Sequence, residues 1–115
     1  GEILTAVRIP AKWANADYFY EKVADRNVWD FALVSLASVM RIEGGNIADS
    51  RMVCGAVECT PRRLTAVESA VRGMPRNKAT ADSVAGMASE GARPLNFNHF
   101  KMPLMDNLVE RSLTA

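Results

Sequence analysis

The sequence predicts an α+β sandwich: an antiparallel sheet of three to four strands, followed by three helices that cover one of its faces. Three observations lead there. Two long β-patterned runs, Phe31 to Ile42 and Ile47 to Glu58, are separated by little more than Gly44-Gly45, too short a connection for anything but antiparallel neighbours. After Thr60 the apolar spacing changes to a helical period. Strands come first and helices second, an order that puts helices on one side of a sheet. The 115 residues, 49% of them apolar and 23% charged, suit one soluble globular domain spanning residues 1–115.

At the N-terminus Ile3, Val7 and Ile9 alternate with small or polar residues, which predicts a half-buried strand ended by Pro10. Residues 11–17 read as a connection in which Trp13 packs. Tyr18-Phe19-Tyr20 reads as a short strand entering a charged loop. From Phe31 to Ile42 both faces are apolar or small until Arg41, as in a central strand, and Leu36 falls at its heart. Gly44 and Gly45 supply the positive φ of a tight hairpin. Gly55, inside the return strand, marks a close approach by a neighbour.

Thr60-Pro61 has the form of a helix cap with Pro at the first helical position. Leu64, Val67, Ala70 and Val71 then make one stripe, closed by Gly73. A second helix, about Ala79 to Ser89, puts Ala81, Val84, Ala85 and Ala88 on one face. A third ends near Leu113 and buries Leu104, Met105, Leu108 and Val109, with Pro103 confined to its first turn. The cluster Asn96-Phe97-Asn98-His99-Phe100 is expected to pack the last helix.

Composition excludes several functions. Fourteen basic and thirteen acidic residues leave a net charge of +1 without a long run of either sign, so neither nucleic acid nor an anionic membrane is an expected partner. The longest apolar run, Phe31 to Met40, has ten residues, short of a membrane span. No secretory signal is visible, and the chain opens on Gly1, as an excised piece would. Cys54 and Cys59 are offset by an odd number and would point to opposite faces of one strand, which speaks against a shared metal or a disulfide. Both are expected to be buried thiols in a reducing, cytoplasmic setting. His99 is the single histidine, and no serine lies in a Gly-x-Ser-x-Gly turn, so hydrolase machinery is missing. Gly44-Gly45 lacks the further glycines and helix start of a dinucleotide loop.

What remains is Lys22, Arg26 and Asp30, spaced four apart. On a helix they would form i, i+4 pairs on a solvated face, and from residue types alone that plain account is preferred. The wider pattern favours another. Tyr20-x-Lys22-x-x-x-Arg26, then Asp30 and the Phe31-Ala32-Leu33-Val34-Ser35 run, resembles the C-terminal domain of the flavoprotein (medium) subunit of molybdenum hydroxylases. That family includes the FAD subunits of xanthine dehydrogenase, carbon monoxide dehydrogenase and bacterial aldehyde oxidoreductases. Other segments fit in the same order: Gly1 to Thr5 with Val7 and Ile9-Pro10, Gly44 to Ile47, Ser50 to Val57, Pro61-Arg62-Arg63 with Glu68 and Gly73, Asn98 to Lys101, and Leu108 to Leu113.

The resemblance implies a lysine, here Lys22, that reaches FAD bound by a preceding domain, with the following loop near the flavin ring. Arg26 and Asp30 would shape that loop. Trp29 would be buried in it or, alternatively, cover the ring. An upstream FAD-anchoring domain, an iron–sulfur subunit and a molybdopterin subunit are the implied partners, and a homo-oligomeric parent is compatible. Electrons would pass from iron–sulfur centres to FAD and on to an external acceptor. The Phe31 to Ser35 strand and the Asn98-x-Phe100-Lys101 stretch look closest to aldehyde-oxidising members. The two glycine-rich loops that chiefly anchor FAD in the family have no counterpart here, so this chain alone is expected to be neither a complete enzyme nor a tight flavin binder. The competing reading is a structural module for subunit assembly that touches no cofactor.

Overall fold

The computed structural model describes residues 1–115. Four antiparallel strands lie in sequence order, β1 (Asp17–Val23), β2 (Val34–Glu43), β3 (Asn46–Gly55) and the short β4 (Arg62–Arg63). Three helices follow: α1 (Thr65–Val71), α2 (Lys78–Ser83) and α3 (Lys101–Thr114). The expected α+β sandwich is therefore found, with four strands.

Alternation along β2 decides which face the helices cover. Val34, Leu36, Ser38 and Met40 are buried, and their β3 partners Cys54, Met52 and Ser50 are buried with them. Val67 and Val71 of α1, and Met105, Leu108, Val109 and Leu113 of α3, complete the same core. The opposite face carries Tyr18, Tyr20 and Lys22 on β1, opposite Val39, Ala37 and Ser35. Part of that outer face is closed by a 3₁₀ turn, Ala11–Trp13, whose indole is buried outside the main core. Lys12 and Arg51 lie over the Trp13 ring at 4.8 and 5.5 Å, and Tyr18 donates its hydroxyl to the Trp13 carbonyl at 2.8 Å.

At the hairpin, Gly44 and Gly45 adopt φ of 57° and 82°, the conformation their sequence announces. Gly55 is also as expected: a Cβ there would stand 2.5 Å from Ser35 Oγ. Pro103 lies in the first turn of α3, where its missing N–H costs nothing.

Several expectations are corrected. Residues 1–10 form no strand and are all exposed, because no partner strand receives their backbone groups. β2 begins at Val34 instead of Phe31, since the Asp30 carboxylate takes the Phe31 N–H at 2.9 Å and turns the backbone from the ladder. β3 stops at Gly55, where Ala56 (φ 63°) breaks the extended run. Thr60-Pro61 caps no helix. Arg62 and Arg63 pair with Cys54 and Val53 as an edge strand, and α1 starts only at Thr65. The second helix ends at Ser83, before Gly86 at φ 86°, which leaves Ala85 exposed although Ala81, Val84 and Ala88 are buried as expected. Cys59 is exposed, and so is Phe97, which does not pack the last helix.

Glu68 ties the helical layer to the sheet. Its buried carboxylate accepts the Met52 N–H at 2.9 Å and a forked pair of bonds from Arg63 at 3.0 and 2.7 Å.

Candidate functional site

The Lys22–Asp30 segment is brought together, though not as a helix and not wholly as a loop. Lys22 is on β1, opposite Ser35, and the connection begins only after Val23. The sequence reading that put Lys22 in the loop is corrected to this extent. Because Lys22 shares the outer parity of Tyr18 and Tyr20, its ammonium leaves the helix-free face and bends over the connection, donating to the Asp30 carbonyl at 2.6 Å. The acceptor is a carbonyl and not a carboxylate, so Lys22 makes no ion pair within the domain.

Asp30 organises the rest. One carboxylate oxygen accepts the Arg26 N–H at 3.0 Å and the other accepts the Phe31 N–H at 2.9 Å. The Arg26 guanidinium donates to the Trp29 carbonyl at 2.9 Å and stands 4.0 Å from the Asp30 carboxylate. Leu33 N–H to the Val23 carbonyl, at 2.7 Å, closes the base of the loop. These bonds tie Arg26 and Asp30 to the loop's own backbone.

Trp29 is where the structure departs most from expectation. It is 93% exposed, not buried, and its backbone takes φ 55°, a region that costs a bulky residue about 1–2 kcal/mol. Val28 and Phe31, on either side, are exposed as well. The loop therefore presents an apolar, partly aromatic tip to solvent.

The loop thus carries a solvent-exposed indole, and the Lys22 ammonium bends over the same connection without an ion-pair partner. Gly44-Gly45, at the far end of β2, is no diphosphate cradle, because it turns directly from β2 into β3 with no helix behind it. No set of three His, Cys, Asp or Glu side chains lies close enough to hold a metal ion. Burial pushes the Cys54 thiol up to about 11, a shift that Arg62 opposes and Asp106 reinforces, so it is no nucleophile at neutral pH.

The architecture is an α+β sandwich with a helix-free sheet face and a charged, aromatic-tipped loop at its edge. Residues 19–115 match the family model described as the CO dehydrogenase flavoprotein C-terminal domain, and the chain belongs to that family. It is the C-terminal domain of the flavoprotein subunit of molybdenum hydroxylases, the group whose pattern the sequence resembles.

The chain is 30% identical over 94 residues to the glyceraldehyde dehydrogenase medium chain of Sulfolobus acidocaldarius, covering 82% of this chain and 33% of that one. It is 29% identical over 104 residues to the carbon monoxide dehydrogenase medium chain of Afipia carboxidovorans, covering 84% of this chain and 36% of the relative. Quinoline 2-oxidoreductase from Pseudomonas putida 86 shares the fold at a TM-score of 0.79 and 24% identity, over 93% of this chain and 37% of that one. The chain thus spans about a third of the length of the relatives it matches.

Proposed function

We propose that this domain closes one side of an FAD held by a preceding domain of the same flavoprotein subunit, in a molybdenum hydroxylase-type oxidoreductase. The observation that carries the reading is the locked loop that presents Trp29 to solvent at a strained φ while leaving the Lys22 charge uncompensated. When bound, FAD would supply two-electron carriage between iron–sulfur centres and an external acceptor. Trp29 would cover the ring and exclude water, Lys22 would favour its more negative, reduced form, and Arg26 and Asp30 would hold both in place. Iron–sulfur and molybdopterin subunits are the proposed partners, as the relatives named for carbon monoxide and glyceraldehyde oxidation suggest. The substrate would be chosen in another subunit.

In the full-length subunit, Lys22→Met removes the charge and keeps an apolar stem. The variant should retain FAD less well and show a lower flavin potential. One charge–charge interaction at a partly shielded site is worth about 1–4 kcal/mol. For a two-electron couple about 1.4 kcal/mol corresponds to roughly 30 mV, which a redox titration resolves. The exposed Leu95 and Phe97 favour the rival reading, an assembly module without cofactor contact. Wild-type potential together with wild-type FAD content in Lys22→Met would select that rival.

A further inference from the structure

A second concave region lies off the β3–β4 edge of the sheet, with β2 and β3 between it and Lys22. It is a cavity of about 370 Å³ between the connection from Val57 to Arg62 and the segment from Gly91 to Asn98 that leads into α3. That volume is in the range of small-molecule sites, and an apolar floor with a few convergent polar groups is their usual build.

Charge around the cavity is unbalanced. Arg62, Arg93 and Lys101 line it against one carboxylate, Glu58. Glu58 is taken up by Arg62 in an ion pair. Lys101 donates only to the Ala56 carbonyl, at 2.7 Å, and the Arg93 guanidinium meets no acceptor from the protein. Two positive charges are thus left over on the cavity lining, Lys101 half-buried and Arg93 exposed. Met102 and Met105 contribute apolar lining. Methionine adapts its shape to flat or irregular apolar bodies and makes favourable contacts with aromatic rings.

We propose that this cavity binds a small phosphomonoester whose aromatic or apolar body rests on Met102 and Met105 while its phosphate is held by Arg93 and Lys101. A dianion matches the two uncompensated charges, which a single carboxylate would not. The Lys101 bond to Ala56, a residue fixed at φ 63°, holds the rim in place before any ligand arrives. Nothing in this site depends on the flavin reading, and its test needs no FAD.

The test is an NMR titration of the 115-residue chain with inorganic phosphate and with phenyl phosphate, at constant ionic strength. Saturable shifts confined to residues 56–62 and 91–102 are expected, with phenyl phosphate the tighter ligand. Arg93→Gln, a loop substitution outside the core, should weaken both ligands by about tenfold, the equivalent of about 1.4 kcal/mol. Met102→Ala should narrow the gap between the two ligands and leave inorganic phosphate unchanged. Lys101→Met provides a second charge deletion and should match Arg93→Gln. Failure of either ligand to give saturable shifts, or equal affinity in wild type and both charge variants, would overturn the site.

Discussion

Asp49 offers the most direct reading of a side-chain network as a stability curve. Its carboxylate, with 10% of the side chain exposed, accepts Lys12 at 2.9 Å, Arg51 at 2.7 Å, the Ser50 N–H at 3.0 Å and Arg72 at 3.3 Å. Burial alone would raise its pKa. The hydrogen bonds from Lys12 and Arg51, and then their charges, outweigh burial and hold it at about 2 against an ordinary 3.8. A carboxyl depressed on folding stabilises the protein above its unfolded pKa, and that contribution fades as pH falls through the folded value. The shift is somewhat under two pKa units, at 1.36 kcal/mol each, for an upper figure of about 2.4 kcal/mol. Lys12, Arg51 and Arg72 are 50%, 35% and 63% exposed, so solvent screening reduces this to about 1–2 kcal/mol. Denaturant melts of wild type and Asp49→Asn should differ by that amount near about pH 6 and converge near about pH 2. Other carboxylates titrate in both proteins and cancel in the difference. Trp13 fluorescence gives a second readout, since losing the Lys12 anchor loosens the 3₁₀ turn on the outer face. A gap that stays constant down to about pH 2 would refute the argument, because the Asp49 charge would then carry none of the effect.

Two further predictions concern the core and the loop. Leu36→Ala, at a fully buried position of β2, should cost about 2–5 kcal/mol in denaturant melts, and a loss below about 1 kcal/mol would contradict its central place. Trp29→Gly should leave the isolated domain unchanged or up to about 1 kcal/mol more stable, because it relieves a positive φ and gives up no buried contact; in the full-length subunit the same change should weaken FAD retention. Destabilisation of the isolated domain by more than about 1 kcal/mol would mean that the indole is packed.

The parts of the fold readable from sequence are those decided locally. Gly44-Gly45 sets the hairpin because few other pairs accept two positive φ values in succession. Leu64, Val67 and Val71 announce a buried stripe through their spacing alone. The boundaries were decided by partners distant in sequence. Phe31-Ala32-Leu33 has strand composition, yet the Asp30 carboxylate captures the Phe31 N–H before β2 can. Two residues of β4 leave no periodic signal, and they are strand only because Cys54 and Val53 stand opposite. Thr60-Pro61 is a sound local cap signal defeated by that same edge pairing. Ile3, Val7 and Ile9 show that alternation describes a strand's surface and not its partner.

The candidate site was legible in its members and illegible in its conformation. Lys22, Arg26 and Asp30 stand out by charge and spacing, but a spacing of four is shared by a helix face and by this loop. What separates the two is a set of bonds to backbone, from Lys22 to the Asp30 carbonyl and from Arg26 to the Trp29 carbonyl, which no side-chain pattern encodes. Trp29 is harder still, because a bulky residue is among the last that composition would assign to φ 55°. A strained backbone persists only where its surroundings over-determine it, and here the Asp30 carboxylate, the Arg26 guanidinium and the Lys22 ammonium do so. The domain's own stability gains nothing visible from an indole directed into water, with Val28 and Phe31 exposed beside it. The network holds an unfavourable conformation and buries no apolar surface by doing so. The proposed flavin contact would offset that cost by covering the indole.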